Sequence, residues 1–257
     1  MLRVIDRYAF ANRLRAVDPA QKGGIALGVI LLCVALDRPI VGLMALLWMV
    51  GMTVGYGRIP MRIVVTVLGA ESVFLALSVI GLVVSIGFEY PDQAQLALSL
   101  GPIWVSVSNE SLQTALHVLS RTLGAASALN FLILTTPLVD LIELLRRLRM
   151  PALVIELMML TYRAIFILLE TLEQMTVAQT ARLGYASWRA TMRSSALLGS
   201  QLFIAAFRRS QALELALTAR GFSGDLRVLP LTYVADRRLW WIAGLIVMSL
   251  TLAGWLV

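Results

Sequence analysis

The stretch "PALVIELMMLTYRAIFILLE", Pro151 to Glu170, decides how this chain is built, because by hydropathy alone it would pass for a membrane span. Glu156, Arg163 and Glu170 recur every seven residues within it and so share one narrow helical face. Each charge at a bilayer centre would cost roughly 2.5–3.5 kcal/mol. The apolar runs between those charges are six residues long, against the roughly 18–20 that a span needs. The segment is therefore expected to be a long amphipathic helix at or below the inner membrane surface. A second segment, Trp188 to Arg220, is uncharged only from Ser194 to Phe207 and receives the same reading. Carrying both across the bilayer would place Arg182, Arg189 and Arg193 on the outer side, against the positive-inside bias.

Outward from this region, the composition is that of a membrane protein: 59% of the 257 residues are hydrophobic and 14% are charged. Apolar runs at 23–36, 40–56, 63–88, 116–139 and 239–257 give five expected transmembrane helices, so the fold class expected is an all-α polytopic membrane protein. Residues 1–22 are expected to form a cytoplasmic leader, 23–139 helices 1–4, 140–238 a cytoplasmic coupling-helix domain, and 239–257 the fifth span. Residues 89–110 contain no Lys or Arg, whereas Arg58, Arg62, Arg146, Arg147 and Arg149 flank the opposite ends of the spans. The expected topology has the N-terminus inside, the 89–110 loop external and the C-terminus outside. Trp240 and Trp241, behind Arg237 and Arg238, suit an inner interfacial anchor.

The net charge is +7, and Lys22 is the only lysine beside 21 arginines. Topogenic loops account for such charge first, and forks for partner carboxylates second. Nucleic acid is not expected, because no basic patch is interleaved with aromatics on a water-soluble module. Cys33 and His117 are the only residues of their kinds, which excludes an internal disulfide and a Cys/His metal cage. Gly51 and Gly55 match GxxxG, and Gly124 with Ala128 forms a second small-residue pair, both read as helix contacts.

Two segments end alike. Thr180-Ala181-Arg182-Leu183-Gly184-Tyr185 closes the first amphipathic helix, and Thr218-Ala219-Arg220-Gly221-Phe222 closes the second, 38 residues on. Glycine suits the left-handed residue after a helix, and arginine in the last turn faces the negative end of its dipole. Helix ending alone requires neither the repeated Thr-Ala nor the aromatic that follows. Two arginine tips suit two like acidic clefts, hence a dimeric partner.

These residues resemble the transmembrane coupling (T) component of energy-coupling factor ABC transporters, which carries Ala-Arg-Gly signatures at the ends of two cytoplasmic coupling helices. Ala219-Arg220-Gly221 matches outright, while Ala181-Arg182-Leu183-Gly184 departs by one inserted leucine. "AQTARLGYASWR", 178–189, and "DRYAFANRLRAVDPAQK", 6–22, are most similar to the cobalt-type branch, CbiQ; in the leader, Asp18-Pro19 and Lys22 follow the family's Asp-Pro-x-x-Lys pattern. The resemblance implies docking of ATPases at Ala181, Arg182, Gly184, Ala219, Arg220 and Gly221. It also implies a prokaryotic inner-membrane complex with two cytoplasmic ATPase subunits and a substrate-binding membrane subunit for cobalt or nickel, with room for a small accessory membrane subunit. This chain would bind no cofactor and catalyse nothing: ATP would be held by the partners, consistent with the lack of a GxxxxGK[ST] loop here. Two other classes compete. A secondary transporter could use Glu71 and Arg121 as a buried pair or proton relay. An intramembrane enzyme finds no HExxH or GxSxG to stand on.

Overall fold

The computed structural model describes residues 2–83, 85–87, 94–100, 103–222 and 233–256. Nine α-helices lie among them: α1 (Leu2–Ala11), α2 (Pro19–Leu36), α3 (Pro39–Gly51), α4 (Met61–Val83), α5 (Asn109–Thr135), α6 (Leu138–Arg147), α7 (Ala152–Ala181), α8 (Trp188–Ala219) and α9 (Arg237–Leu256). A π-helical turn, Met52–Tyr56, extends α3. The helical polytopic architecture expected from the sequence is the one found, with one three-stranded sheet beside the helices. Six helices are long and apolar enough to cross a membrane: α2, α3 with its π turn, α4, α5, α7 and α9. The chain divides into two compact units, Met1–Leu141 with Thr232–Val257, and Ile142–Leu231.

The first unit is organised around α5. Ser108 caps its start, accepting from Ser111 N–H at 3.2 Å, with Glu110 in the first turn to match the helix dipole. One stripe of α5, including Gly124, Ala128 and Phe131, is buried. At its centre α3 and α5 meet backbone to backbone: a Cβ on Gly42 would lie 2.2 Å from the Ser120 carbonyl oxygen, and one on Gly124 would lie 2.7 Å from the Gly42 carbonyl oxygen. Only glycine permits this approach, and close approach is how membrane helices gain packing without a hydrophobic drive between them. The Gly124/Ala128 expectation therefore holds. The GxxxG expectation does not, since an added Cβ on Gly51 or Gly55 would meet nothing within 4 Å. Both glycines are exposed, and the helix leaves regular geometry directly after Gly51.

Helix α9 closes the unit with a buried stripe at Leu239, Ala243, Ile246 and Leu250, the spacing of one helical face. Asp236 starts α9, accepting from Arg238 N–H at 2.9 Å and from the Tyr56 hydroxyl. The Tyr56 hydrogen bond, reinforced by the Arg238 N–H, holds the Asp236 carboxyl below the ordinary carboxylate range. The outer face of α4 is apolar, with Val73, Phe74 and Leu77 about two-thirds or more exposed, as expected of a surface solvated by acyl chains.

Several boundaries differ from the expected ones: the first span begins at Pro19 rather than Gly23, and the fourth, expected at 116–139, is α5 at Asn109–Thr135, with Leu138 and Val139 already in α6. The third span was expected to continue to Phe88, but α4 ends at Val83 and 85–87 is a strand, while Phe88 itself lies outside the described residues. The expected loop at 89–110 instead contributes to an antiparallel sheet of β1 (Ser85–Gly87), β2 (Ala94–Leu100) and β3 (Ile103–Ser108), in the order β1-β3-β2. Its register pairs Ile86 and Leu98 with Val105. The alternation in "QLALSL" and "IWVSVS" is period two, which suits strands once no membrane span claims these residues.

The leader is tied into the first unit by its polar residues. Asp18 caps α2 through Ala20 N–H at 3.0 Å, and Pro19 takes the first helical position, where its missing N–H costs nothing. Lys22, four residues after the cap, is fully buried and donates to the Leu14 and Thr135 carbonyls, both at 3.1 Å. Asn12 Nδ2 also donates to Thr135 O, at 3.1 Å. Thr135 is the last residue of α5, so its carbonyl has no partner within the helix. The Asp-Pro-x-x-Lys spacing thus starts one helix and caps the end of another.

Candidate docking site

Helices α7 and α8 form an antiparallel pair in the second unit. Gln179 near the end of α7 reaches the Ser194 carbonyl near the start of α8, at 3.3 Å. Further along, residues between Leu160 and Leu168 face residues between Ala206 and Leu213 across a groove of about 520 Å³. Both helices lie within one residue of the bounds expected for them, 151–182 and 188–220, and run unbroken for 30 and 32 residues. At 1.5 Å per residue, α8 is about 48 Å long. Arg182 ends α7 beside the start of α8, and Arg220 ends α8, so one helix length separates the two tips.

The tips share one backbone. At the first, Leu183 N–H bonds to Thr180 O at 3.1 Å and Gly184 N–H to Gln179 O at 2.9 Å. At the second, Gly221 N–H bonds to Thr218 O at 3.0 Å and Phe222 N–H to Leu217 O, also at 3.0 Å. Each is a Schellman ending, with arginine as the C-cap and a left-handed residue after it. The left-handed residues are Leu183, φ 56°, and Gly221, φ 72°.

This geometry corrects the expected alignment. Leu183 is not an insertion: it stands where Gly221 stands, and Gly184 stands where Phe222 stands. The expected left-handed glycine is present only at the second tip. Gly184 is required for space instead, since a Cβ there would lie 2.7 Å from Ser194 Oγ and 2.9 Å from Gln179 O. The two aromatics are not equivalent either. Tyr185 donates to Gln179 Oε1 at 2.8 Å and belongs to the turn into α8, where Ser187 then caps Ala190 N–H. Phe222 is 38% exposed at the tip itself.

Ala181, Arg182, Ala219, Arg220 and Gly221 are all exposed, and Gly184 is half-buried. Neither tip arginine has a carboxylate partner among the described residues. Leu183, 75% exposed, adds an apolar surface beside Arg182. Each tip therefore offers an unpaired guanidinium, able to fork onto a carboxylate, on a rigid helix end.

The charged face expected along α7 is divided: Glu156 is buried, whereas Arg163 and Glu170 are exposed. Arg163 lines the groove with Arg209 from α8, amid Leu160, Ile167 and Leu213. The two intramembrane residues considered for a relay do not meet. Glu71 accepts from Asn130 Nδ2 at 2.9 Å, and Arg121 pairs with Asp37 at 3.0 Å at the turn between α2 and α3. Asp37 is legible as a turn residue but not as a partner for a residue 84 positions away. Cys33 is buried in the helical core and His117 is half-buried on α5.

A family model described as "Cobalt transport protein", CbiQ, matches residues 11–230. The chain is 34% identical over 225 residues to the cobalt transport protein CbiQ of Rhodobacter capsulatus, covering 88% of this chain and 86% of that one. It is 31% identical over 224 residues to the cobalt transport protein CbiQ of Salmonella typhimurium, covering 87% and 99%. Over 135 residues it is 34% identical to the energy-coupling factor transporter transmembrane protein EcfT of Brevibacillus brevis, covering 48% and 51%.

Proposed function

This chain belongs to the CbiQ cobalt transport protein family, and from that premise we propose that it is the transmembrane coupling subunit of an ATP-driven energy-coupling factor uptake transporter for cobalt or nickel ions. The observation that carries the proposal is the pair of like-built arginine tips, one at each end of α8. Two identical ATPase subunits related by a two-fold axis present two identical acidic clefts, and one chain meets both by repeating one hook.

The expected cycle follows from this arrangement. The ATPases bind ATP, which this chain does not hold, and their closure displaces the tips of α7 and α8. A helix that keeps its hydrogen bonds transmits such a displacement along its length. The groove between α7 and α8, apolar with arginines at its margin, suits contact with the substrate-binding membrane subunit, which would hold the metal ion. The chain acts as a non-catalytic lever, with its N-terminus and both tips on the cytoplasmic side of the inner membrane and its C-terminus outside. On this reading α7 lies at the inner surface despite its apolar composition, because the charges at Arg163 and Glu170 remain exposed along it.

Replacing Arg182 and Arg220 with alanine tests the proposal. Losing one partner of a desolvated, hydrogen-bonded charge pair costs about 2–5 kcal/mol. The double variant is expected to insert and fold but to lose ATPases on copurification. Wild-type ATPase recruitment and metal uptake in that variant would overturn the reading.

A further inference from the structure

The groove between α7 and α8 lies wholly within the Ile142–Leu231 unit. Its walls are mostly carbon, with Leu160, Ala164 and Ile167 on α7 facing Ala212 and Leu213 on α8. Two charges enter it, Arg163 from one helix and Arg209 from the other. Neither has a carboxylate partner among the described residues. The acids nearest to them along the chain, Glu156, Glu170 and Glu214, do not line the groove. Its volume of about 520 Å³ falls within the range of about 300–1,000 Å³ usual for small-ligand sites.

An occupant has to match both parts of this lining: an apolar body for the walls and an anion for the two guanidinium groups. Arginine serves such a site well, because its methylenes pack along the wall while its planar head stays at the polar margin. There it donates two parallel hydrogen bonds to a phosphate. A free phosphate would satisfy the arginines and leave the walls wet. The surroundings point to lipid. Outside the groove the same two helices carry Leu153 and Leu157 on α7 and Phe203 and Phe207 on α8, each more than half exposed. At a membrane surface, side chains of this kind are covered by acyl chains. A basic pocket between helices on that side is where acidic headgroups bind.

We infer that, in the chain free of its substrate-binding subunit, this groove is a site for an anionic phospholipid. One acyl chain lies along the apolar walls, and Arg163 and Arg209 hold the phosphate from opposite helices. The inference rests on the placement of α7 and α8 at the inner membrane surface proposed above. It gives the groove an occupant of its own, distinct from the protein that later seats there.

The test uses the full chain purified alone in detergent, with dioleoyl phosphatidylglycerol as the probe. Native mass spectrometry counts the lipid that stays bound. Dioleoyl phosphatidylcholine is expected to be retained about tenfold less, and inorganic phosphate at the same concentration should not displace the probe. Equal retention of the two lipids overturns the inference, as does displacement by phosphate alone. Replacing both arginines, Arg163→Gln with Arg209→Gln, should lower retained phosphatidylglycerol about tenfold or more. Unchanged retention overturns the site. Unchanged retention together with loss of the substrate-binding subunit on copurification overturns it in favour of an acidic partner helix. Should the double variant fail to accumulate, the wild-type chain decides. Phosphatidylglycerol with a photoactivatable diazirine in its acyl chain should label peptides covering 160–168 and 206–213, and excess unlabelled phosphatidylglycerol should abolish the label. Absence of label there overturns the inference and leaves the coupling function standing. A chain that binds the lipid but recruits no ATPase overturns the coupling function and leaves the lipid site standing.

Discussion

Leu183 and Gly221 occupy the same left-handed position at the ends of α7 and α8, with φ of 56° and 72°. A branched side chain in that conformation costs about 1–2 kcal/mol, whereas glycine adopts it freely. Leu183→Gly is therefore expected to raise the thermal midpoint of the purified chain. Gly221→Leu is expected to lower it by a similar margin, through backbone strain alone, because a Cβ there meets nothing within 4 Å. Opposite shifts in a melting experiment check the equivalence of the two tips, and shifts of the same sign would refute it.

Gly42 and Gly51 should respond oppositely to one added methyl. Gly42→Ala drives a Cβ into the Ser120 backbone and must part α3 from α5, at an expected cost of about 3 kcal/mol or more. Gly51→Ala adds a methyl in open space within a helix and should be neutral or slightly stabilising for the isolated chain. Detergent-resistant thermal unfolding of the two variants makes the comparison.

Lys22→Met should be among the most damaging conservative-volume changes in the first unit. It leaves the Thr135 and Leu14 carbonyls without their cation and Asp140 without the opposing charge, for an expected loss of about 3 kcal/mol. Lys22→Arg should not rescue it, since a fully buried site shaped around an ammonium would have to take in a larger planar fork. Retention of the folded fraction during gel filtration at rising temperature gives the ranking.

Glu71→Gln keeps an oxygen for Asn130 Nδ2 to bond and removes the carboxyl's capacity for charge and for carrying a proton. Uptake by the assembled transporter is expected to stay within about twofold of wild type, because the bond is kept and only its charge assistance is lost. A secondary transporter working through this residue would instead lose uptake altogether, so the same assay discriminates the two classes.

Periodicity located the long helices, whereas the short α1 and α6 were not expected as helices. The seven-residue spacing of Glu156, Arg163 and Glu170 suited one continuous helix, while the caps at Asp18 and Ser187 came into view only with the structure. The tips were half legible. Thr-Ala-Arg marked both endings, but the string aligned glycine with glycine, whereas hydrogen bonding aligns Leu183 with Gly221. Left-handed backbone in a leucine leaves no mark in composition. Contacts between distant positions were beyond reach for the same reason: Gly42 looks no different from Gly51 until α5 is laid across it, and Arg121 finds Asp37 rather than Glu71 only through the packing of α2 on α5. The sheet of 85–87, 94–100 and 103–108 was missed because the greasy residues up to 88 were given to the third span and 89–110, lacking Lys and Arg, were read as an external loop.

The bond from Lys22 to Thr135 spans 113 positions, and this has a bearing on how the protein is made. During synthesis the ammonium emerges long before its carbonyl, so the leader has no settled place while the ribosome is producing α2 through α5. Four helices, α2 to α5, must be in place before Asn12 and Lys22 can lock. The leader then acts as a late fastener, and a nascent chain halted before residue 135 should remain open to proteolysis at its first 22 residues.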